Sequence, residues 1–99
     1  MEEKRKNRSP LISVIVPTYK QEQTIQQDLV HIKNVMDRIR HDYEIIVVVD
    51  GFLDKTFEQA KKVKSTKITV IGYKHNHGKG NAVRFGMAKA KGNVIAFID

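Results

Sequence analysis

Two carboxylates stand directly after apolar runs in this chain of 99 residues. Asp50 follows the run Ile45–Val49, and Asp99 follows the run Val94–Ile98. Both runs are almost entirely apolar and rich in β-branched residues, which is typical of strands buried on both faces of a parallel sheet. Open α/β sheets bind ligands beyond the carboxyl ends of their strands. The two carboxylates are therefore candidate contacts for a nucleotide and, at Asp99, for a metal ion.

The pair Asp50-Gly51 allows two interpretations. The carboxylate can accept hydrogen bonds from a base N–H or a ribose hydroxyl, or it can cap the adjoining loop while Gly51 supplies a positive φ. The sequence alone does not separate them. Asp54 stands just before a helix-like segment, where a helix N-cap is the expected role.

A glycine-bearing loop, His75–Gly80, precedes the third helix-like segment. Its glycine amides (Gly78, Gly80) and Lys79 could cradle a phosphate at a helix N-terminus. Arg84 follows on the same helix and is a further candidate phosphate contact. The glycine spacing is not that of a Walker A loop, since no Lys-Ser or Lys-Thr pair follows.

Two further features carry weaker signals. Tyr19 follows Pro17-Thr18 and could stack on a planar base, or it could pack against the sheet edge. His75 and His77 form a His-x-His pair, but two histidines are too few for a metal site, so none is expected there.

The elements that must position these residues are four apolar runs alternating with three helix-like segments. Strands are predicted at 11–16, 43–49, 68–71 (reaching Tyr73) and 94–98, and helices at 24–40, 54–64 and 81–91. Thr24 and Gln27 have the form of a capping box at the first helix. This alternation predicts an α/β fold, a three-layer Rossmann-like parallel sheet with flanking helices. Right-handed crossovers then place every strand's carboxyl end, and all the candidate residues, at one edge.

Composition limits the partners. The net charge of +7 favours an anionic partner, and nucleic acid, acidic lipid headgroups and a nucleotide diphosphate all qualify. The absence of cysteine excludes disulfides and thiolate metal sites. Residues 1–10 are predicted to form a flexible polar leader with a basic cluster, Lys4–Arg8, and residues 11–99 one domain. A cytoplasmic location is expected, with peripheral membrane attachment as the alternative.

Four segments, in this order and spacing, resemble family 2 glycosyltransferases, and the stretch Gly78–Met87 most resembles the branch acting on polyprenyl or dolichyl phosphate. They are Ile15-Val16-Pro17-Thr18-Tyr19; Glu44–Gly51 with Asp54 and Thr56; Asn76–Gly86; and Gly92–Asp99. The sequence differs from the family where paired aspartates usually precede the glycine, here Val49-Asp50, and in the apolar residues Phe52 and Leu53.

The resemblance implies a GT-A fold and transfer from a UDP- or GDP-sugar, with Mg²⁺ or Mn²⁺. It also implies specific roles for the matching residues. Pro17, Thr18 and Tyr19 would line the base pocket, Asp50 would face the base or ribose, Lys79 would approach the diphosphate or ribose, and Asp99 would begin the Asp-x-Asp motif, touching the ribose and the metal.

The acceptor implied by the resemblance is a polyprenyl phosphate. Residues 11–99 would then form the donor-binding portion of a GT-A domain, inactive by itself, and nucleic acid would not be a partner. The alternative is a non-catalytic basic α/β module that binds nucleotide, nucleic acid or an acidic membrane surface. The last apolar strand is also expected to be an open sheet edge through which the chain associates with itself.

Overall fold

The computed structural model describes residues 10–98 and contains one sheet of four parallel strands, which confirms the predicted α/β class. The spatial order is β3-β2-β1-β4. The strands are β1 (Ile12–Thr18), β2 (Tyr43–Asp50), β3 (Ile68–Tyr73) and β4 (Val94–Phe97). Because all the pairings are parallel, the carboxyl ends of the strands share one edge, as predicted.

Three helices complete three layers. The helices are α1 (Ile25–Arg38), α2 (Thr56–Lys61) and α3 (Lys79–Lys89). One face of the sheet packs with α1 and α2, and the other face packs with α3. The three-layer Rossmann-like arrangement expected from the sequence is therefore present.

Strand β2 runs through the middle of the sheet, and its successive side chains point alternately into the cores on the two faces. Ile45, Val47 and Val49 join the cluster on the α1 and α2 side, while Ile46 and Val48 join the cluster on the α3 side. All five are at most 2% exposed, so this strand is apolar on both faces. The continuous apolar run in the sequence reflects this double burial.

The predicted capping box at Thr24 is wrong. Thr24 has a near-helical backbone (φ −117°, ψ −13°) and its side chain makes no capping hydrogen bond. A turn precedes the helix instead, and the Gln21 carbonyl accepts the N–H groups of Thr24 and Ile25 at 3.1 and 2.9 Å. Because that carbonyl satisfies the first helical amides, the threonine hydroxyl is not needed there.

Helix α3 begins at Lys79, two residues earlier than predicted. Gly78 is its N-cap, and the Gly78 carbonyl accepts the first helical bond from Ala82 N–H at 3.1 Å. Gly80 therefore lies in the first turn of the helix rather than in the loop. This start brings the amino end of α3 closer to the sheet edge than the sequence indicated.

β4 is the most exposed strand. It pairs with β1, and its residues Val94, Ile95 and Phe97 are 47%, 36% and 58% exposed. Within the described range, β1 is its one strand neighbour, so its other edge is unpaired there. The predicted metal-side residue Asp99, the basic cluster Lys4–Arg8 and nearly all of the predicted leader lie outside the described residues. Among residues 10–98, each helix is too short or too polar to cross a bilayer.

Candidate functional site

A cleft of about 380 Å³ lies at the carboxyl edge of the sheet. Its volume falls in the range of small-molecule sites, about 300–1,000 Å³. It joins the loops that follow β1, β2 and β3, as the parallel topology requires. The lining residues are Pro17, Thr18, Tyr19, Gln21, Asp50, Asn76, Gly78 and Lys79.

The β1 side of the cleft combines a fixed strand end with an exposed ring. Thr18 is 2% exposed, and its hydroxyl donates to the Val48 carbonyl at 3.1 Å, so this hydroxyl is engaged in the sheet. Tyr19 is 47% exposed and leaves its ring accessible. An exposed aromatic ring beside a cleft can stack on a planar base.

Asp50 organises the loop after β3. Its Oδ1 accepts hydrogen bonds from the Tyr73 hydroxyl and from His77 N–H, both at 2.8 Å. Its Oδ2 accepts from Gly78 N–H at 3.0 Å. The side chain therefore caps a loop, as one of the two interpretations of Asp50-Gly51 required, but the loop is that of residues 77–78 and not the one that follows Asp50.

These bonds also set the charge of the site. Burial raises the pKa of Asp50, but the bonds from His77 N–H, the Tyr73 hydroxyl and Gly78 N–H outweigh burial and hold the pKa below its ordinary value. Asp50 is therefore ionised at neutral pH. Burial raises the pKa of Tyr73, so its hydroxyl stays protonated and donates to the carboxylate.

Two glycines shape this corner of the cleft. Gly51 has φ +92°, and a Cβ on it would lie 2.9 Å from the backbone N of Asn76. Gly78 has φ +96° and ψ 163°, a region that is essentially restricted to glycine. The close approach of the two loops depends on Gly51, whereas Gly78 is needed for its backbone conformation, since a Cβ there would have nothing within 4 Å.

Lys79 stands at the first position of α3 and lines the cleft. The amino end of a helix carries a partial positive charge and unpaired N–H groups, and an ammonium beside it adds a full charge. This corner is therefore suited to an anionic ligand such as a diphosphate.

Gly80 and Arg84, the other predicted phosphate contacts, do not line the cleft. They lie together on α3, where a Cβ on Gly80 would stand 3.5 Å from Nη1 of Arg84. The guanidinium thus lies against the first turn of the helix, next to the cleft but outside its lining.

Asp54 holds the β1 and β2 loops together. Its Oδ1 accepts from Thr56 N–H at 2.9 Å, and its Oδ2 accepts from Glu22 N–H at 3.4 Å. The Gln21 N–H in turn donates to Thr56 Oγ1 at 2.8 Å. The prediction that Asp54 is the N-cap is wrong: Lys55 holds that position and α2 starts at Thr56, while the Asp54 carboxylate accepts the N–H of Thr56 from one position earlier.

Sequence reasoning did not include Gln21 and Asn76 among the site residues. The Gln21 side chain Oε1 accepts from Tyr19 N–H at 3.3 Å, which turns this side chain back toward the cleft. Asn76 lies against Gly51. The sequence feature that could have pointed to Asn76 is this glycine, because a glycine directly after a strand indicates that another stretch of backbone comes close there.

The described residues do not by themselves form a metal site. No group of three or more His, Asp or Glu side chains comes together within residues 10–98, and His75 and His77 gain no third ligand there. A divalent cation needs more ligands than these residues supply. The implied Mg²⁺ or Mn²⁺ therefore has no binding set in this part of the chain.

Comparison with known proteins identifies the family. The family model described as glycosyl transferase family 2 matches residues 13–99, which include β1 from its second residue, β2 to β4 and every cleft residue. The chain belongs to glycosyl transferase family 2.

Relatives and solved structures agree with the family 2 assignment. Dolichyl-phosphate beta-glucosyltransferase from Mus musculus is 37% identical over 97 residues, a match covering 89% of this chain and 30% of that relative. Glucosyl-3-phosphoglycerate synthase from Mycobacterium tuberculosis, solved with Mn²⁺ and UDP-glucose, superposes with a TM-score of 0.71 at 27% identity, covering 99% of this chain and 35% of that one.

The mannosyltransferase PcManGT from Pyrobaculum calidifontis, solved with GDP-mannose and Mn²⁺, has a TM-score of 0.74 at 23% identity and covers 90% of this chain and 27% of that one. At this identity the match shows the fold alone. The chain spans less than a third of the length of the curated relatives it matches.

Proposed function

We propose that this chain forms the donor-binding part of a glycosyltransferase that takes a sugar from a nucleoside-diphosphate sugar. The observation that carries the proposal is the cleft of about 380 Å³, which brings an exposed tyrosine ring, an ionised carboxylate and a lysine at a helix amino end to one place. The three groups suit the three parts of a nucleoside diphosphate: the ring can stack on the base, the carboxylate can bind the ribose, and the lysine can bind the diphosphate.

Each cleft residue then has a role. The Tyr19 ring stacks on the base, and Pro17 and Thr18 form the wall beneath it. Lys79 and the first turn of α3 neutralise the diphosphate, whose negative charge grows as the sugar departs. Asp50 holds Gly78 and the start of α3 in place; its three hydrogen bonds leave about one lone-pair position for the ribose or base.

The proposal extends to the donor, acceptor and metal. The donor is a UDP- or GDP-sugar, because structures with the same fold were solved with UDP-glucose and with GDP-mannose. The acceptor is a polyprenyl phosphate, supported by the dolichyl-phosphate relative. Asp99, outside the described residues, is the proposed ribose- and metal-side carboxylate.

The test is a ¹H–¹⁵N NMR titration of the chain with UDP and with GDP, each with and without Mg²⁺. We expect saturable shifts at Tyr19, Lys79 and the amides of the 76–78 loop, larger for one nucleotide than for the other. Lys79→Gln should weaken the binding about tenfold, the scale of one charge-assisted hydrogen bond.

Lys89→Gln is the matched control. Lys89 ends the helix that Lys79 begins, about 15 Å away at 1.5 Å per residue, so it should leave the affinity unchanged. Equal losses from both substitutions would show diffuse charge attraction and contradict a specific donor site. A dispersed spectrum with no shifts for either nucleotide would contradict it as well.

We also propose that the chain associates with itself through β4. The residues of this strand are exposed, and its outer edge is unpaired within the described range. An open apolar edge pairs readily with another strand, and a charge on it prevents pairing. Sedimentation should show a dimer that Ile95→Lys converts to a monomer, whereas Val30→Lys on α1 should not. A monomer in the unsubstituted chain would contradict the proposal.

A further inference from the structure

A second surface lies at the carboxyl edge of the sheet, outside the cleft. The loops after β1, β2 and β3 lie side by side there, since the strand order is β3-β2-β1. We call the outward residues of these loops the loop rim: Lys20, Phe52, Leu53, Lys55 and Lys74. We propose that the loop rim docks on an anionic lipid bilayer.

The apolar part of the loop rim is the tip of the β2–α2 loop. Phe52 and Leu53 are adjacent in sequence and are 47% and 46% exposed. The Phe52 ring packs edge-to-face on the Phe57 ring, with 5.1 Å between the ring centroids. The backbone N–H of Phe52 donates to the Lys74 carbonyl at 3.1 Å. The tip is therefore a fixed apolar projection, which suits insertion at the boundary between headgroups and acyl chains.

The loop rim carries three exposed lysines against two neighbouring carboxylates, Asp54 and Glu22, so its net charge is positive. Asp54 accepts from Thr56 N–H and Glu22 N–H, and Glu22 accepts from Lys55 N–H at 2.8 Å. Lys20, Lys55 and Lys74 are all exposed. Lysines beside an apolar tip complement anionic lipid headgroups, and the net charge of +7 adds a general attraction.

The pairing of apolar tip and lysines favours a bilayer over nucleic acid. Phosphate contacts to nucleic acid would use the lysines but would leave the Leu53 side chain without a partner. Docking would also set the cleft beside the bilayer, because Tyr19 of the cleft adjoins Lys20 of the loop rim. The functional use of this placement rests on the proposed polyprenyl-phosphate acceptor. The docking itself does not require nucleotide binding.

The first test uses the absence of tryptophan from the sequence. Leu53→Trp places a single reporter on the loop rim, and Val35→Trp places one on the exposed side of α1, where Val35 is 39% exposed. With vesicles of phosphatidylcholine and phosphatidylglycerol, we expect a blue shift and quenching by brominated lipid at position 53 only. The same response at both positions, or at neither, would overturn the proposal.

The second test compares two double variants that each lose two positive charges and therefore have the same net charge. Lys20→Gln with Lys74→Gln takes two charges from the loop rim, and Lys64→Gln with Lys89→Gln takes two from elsewhere. Each lysine near a membrane surface changes partitioning about fivefold, so we expect the rim variant to lower vesicle binding about 25-fold and the control less than threefold.

Equal losses in both charge variants would mean unoriented attraction and would overturn docking through the rim. Equal or stronger binding to duplex DNA, weakened by the same rim substitutions, would assign the surface to nucleic acid and overturn it also. The UDP and GDP titration of Leu53→Trp is read separately, so failure of the donor site and failure of the docking surface are distinguishable.

Discussion

Asp50→Asn tests whether this carboxylate acts by holding the 77–78 loop. The substitution keeps the shape of the side chain but leaves one acceptor oxygen where there were two. With that oxygen toward Tyr73 and His77, the new amide NH₂ faces Gly78 N–H, and two donors oppose each other. One charge-assisted bond is lost, and two others become bonds between neutral groups.

The magnitude follows from those three bonds. A bond to a charged group contributes about 1.5–3 kcal/mol, and a neutral bond about 0.5–1.5 kcal/mol. The loss of one hydrogen bond and the weakening of two others together cost about 3–5 kcal/mol. An amide costs less to bury than a carboxylate, and this difference offsets part of the loss. A net loss of about 2–3 kcal/mol in the free energy of loop opening corresponds to a change of about 30- to 150-fold in an equilibrium.

The assay is amide hydrogen exchange at His77 and Gly78 by NMR. We expect exchange to quicken by that factor in Asp50→Asn. Asp37→Asn is the control, because Asp37 also accepts from a tyrosine hydroxyl, that of Tyr43, but at the opposite end of β2. If exchange at 77 and 78 stays unchanged in Asp50→Asn while nucleotide binding is lost, the loop-holding argument is refuted and Asp50 acts on the ligand directly.

The same bonds predict an acid dependence. Because the folded pKa of Asp50 lies below its ordinary value, its contribution to stability is complete above the unfolded pKa of about 3.9 and is lost as pH falls through the folded pKa. Protection against exchange at 77 and 78, taken relative to the intrinsic exchange rate at each pH, should therefore fall below about pH 4 in the unsubstituted chain. In Asp50→Asn it should show a flatter pH profile.

Three further predictions concern the backbone conformation of Gly78, the packing at Gly86 and the titration of Tyr43. Gly78→Ala should destabilise the fold by about 1–3 kcal/mol because φ is +96°, while Gly80→Ala, in the first turn of α3, should be neutral or stabilising; urea unfolding compares them. Gly86→Ala should cost about 1–3 kcal/mol by the same assay, since its Cβ would lie 2.7 Å from Cγ2 of Ile15; a cost near zero would contradict this packing. Burial raises the pKa of Tyr43 to about 12 and raises that of Tyr73 as well, so absorbance should show two tyrosines that titrate above the ordinary range, with the stability that Tyr43 contributes lost as pH rises from about 10 through that value.

The sheet and its functional edge could be predicted from the sequence because burial leaves a strong signal. The run Ile45–Val49 is apolar on both faces of β2, and its pattern indicates a central parallel strand directly. The apolar spacing of α1 places Ile25, Leu29 and Met36 against the sheet, as the structure has them. Parallel strands then bring their carboxyl ends to one edge whatever the loops do.

The loop contacts could not be predicted in the same way. Two of the three partners of Asp50 lie 27 and 28 residues further along the chain, and these two are backbone N–H groups, which any residue type except proline supplies. The start of α3 was misplaced for a related reason. It depends on the positive φ of Gly78, and a glycine permits such a conformation without requiring it.

Position 49 shows how strand alternation decides which groups face the ligand. Val49 is 1% exposed and packs in the core cluster on the α1 and α2 side, whereas Asp50 lines the cleft. A carboxylate at 49 would be buried there among apolar side chains, so valine suits the core that this chain has. Among the described residues that line the cleft, Asp50 is then the one carboxylate, and it is largely occupied by the 77–78 loop. The neutral amides of Gln21 and Asn76, each with donors and an acceptor, are the remaining groups in the cleft able to read a base edge, and we expect them to decide between uracil and guanine.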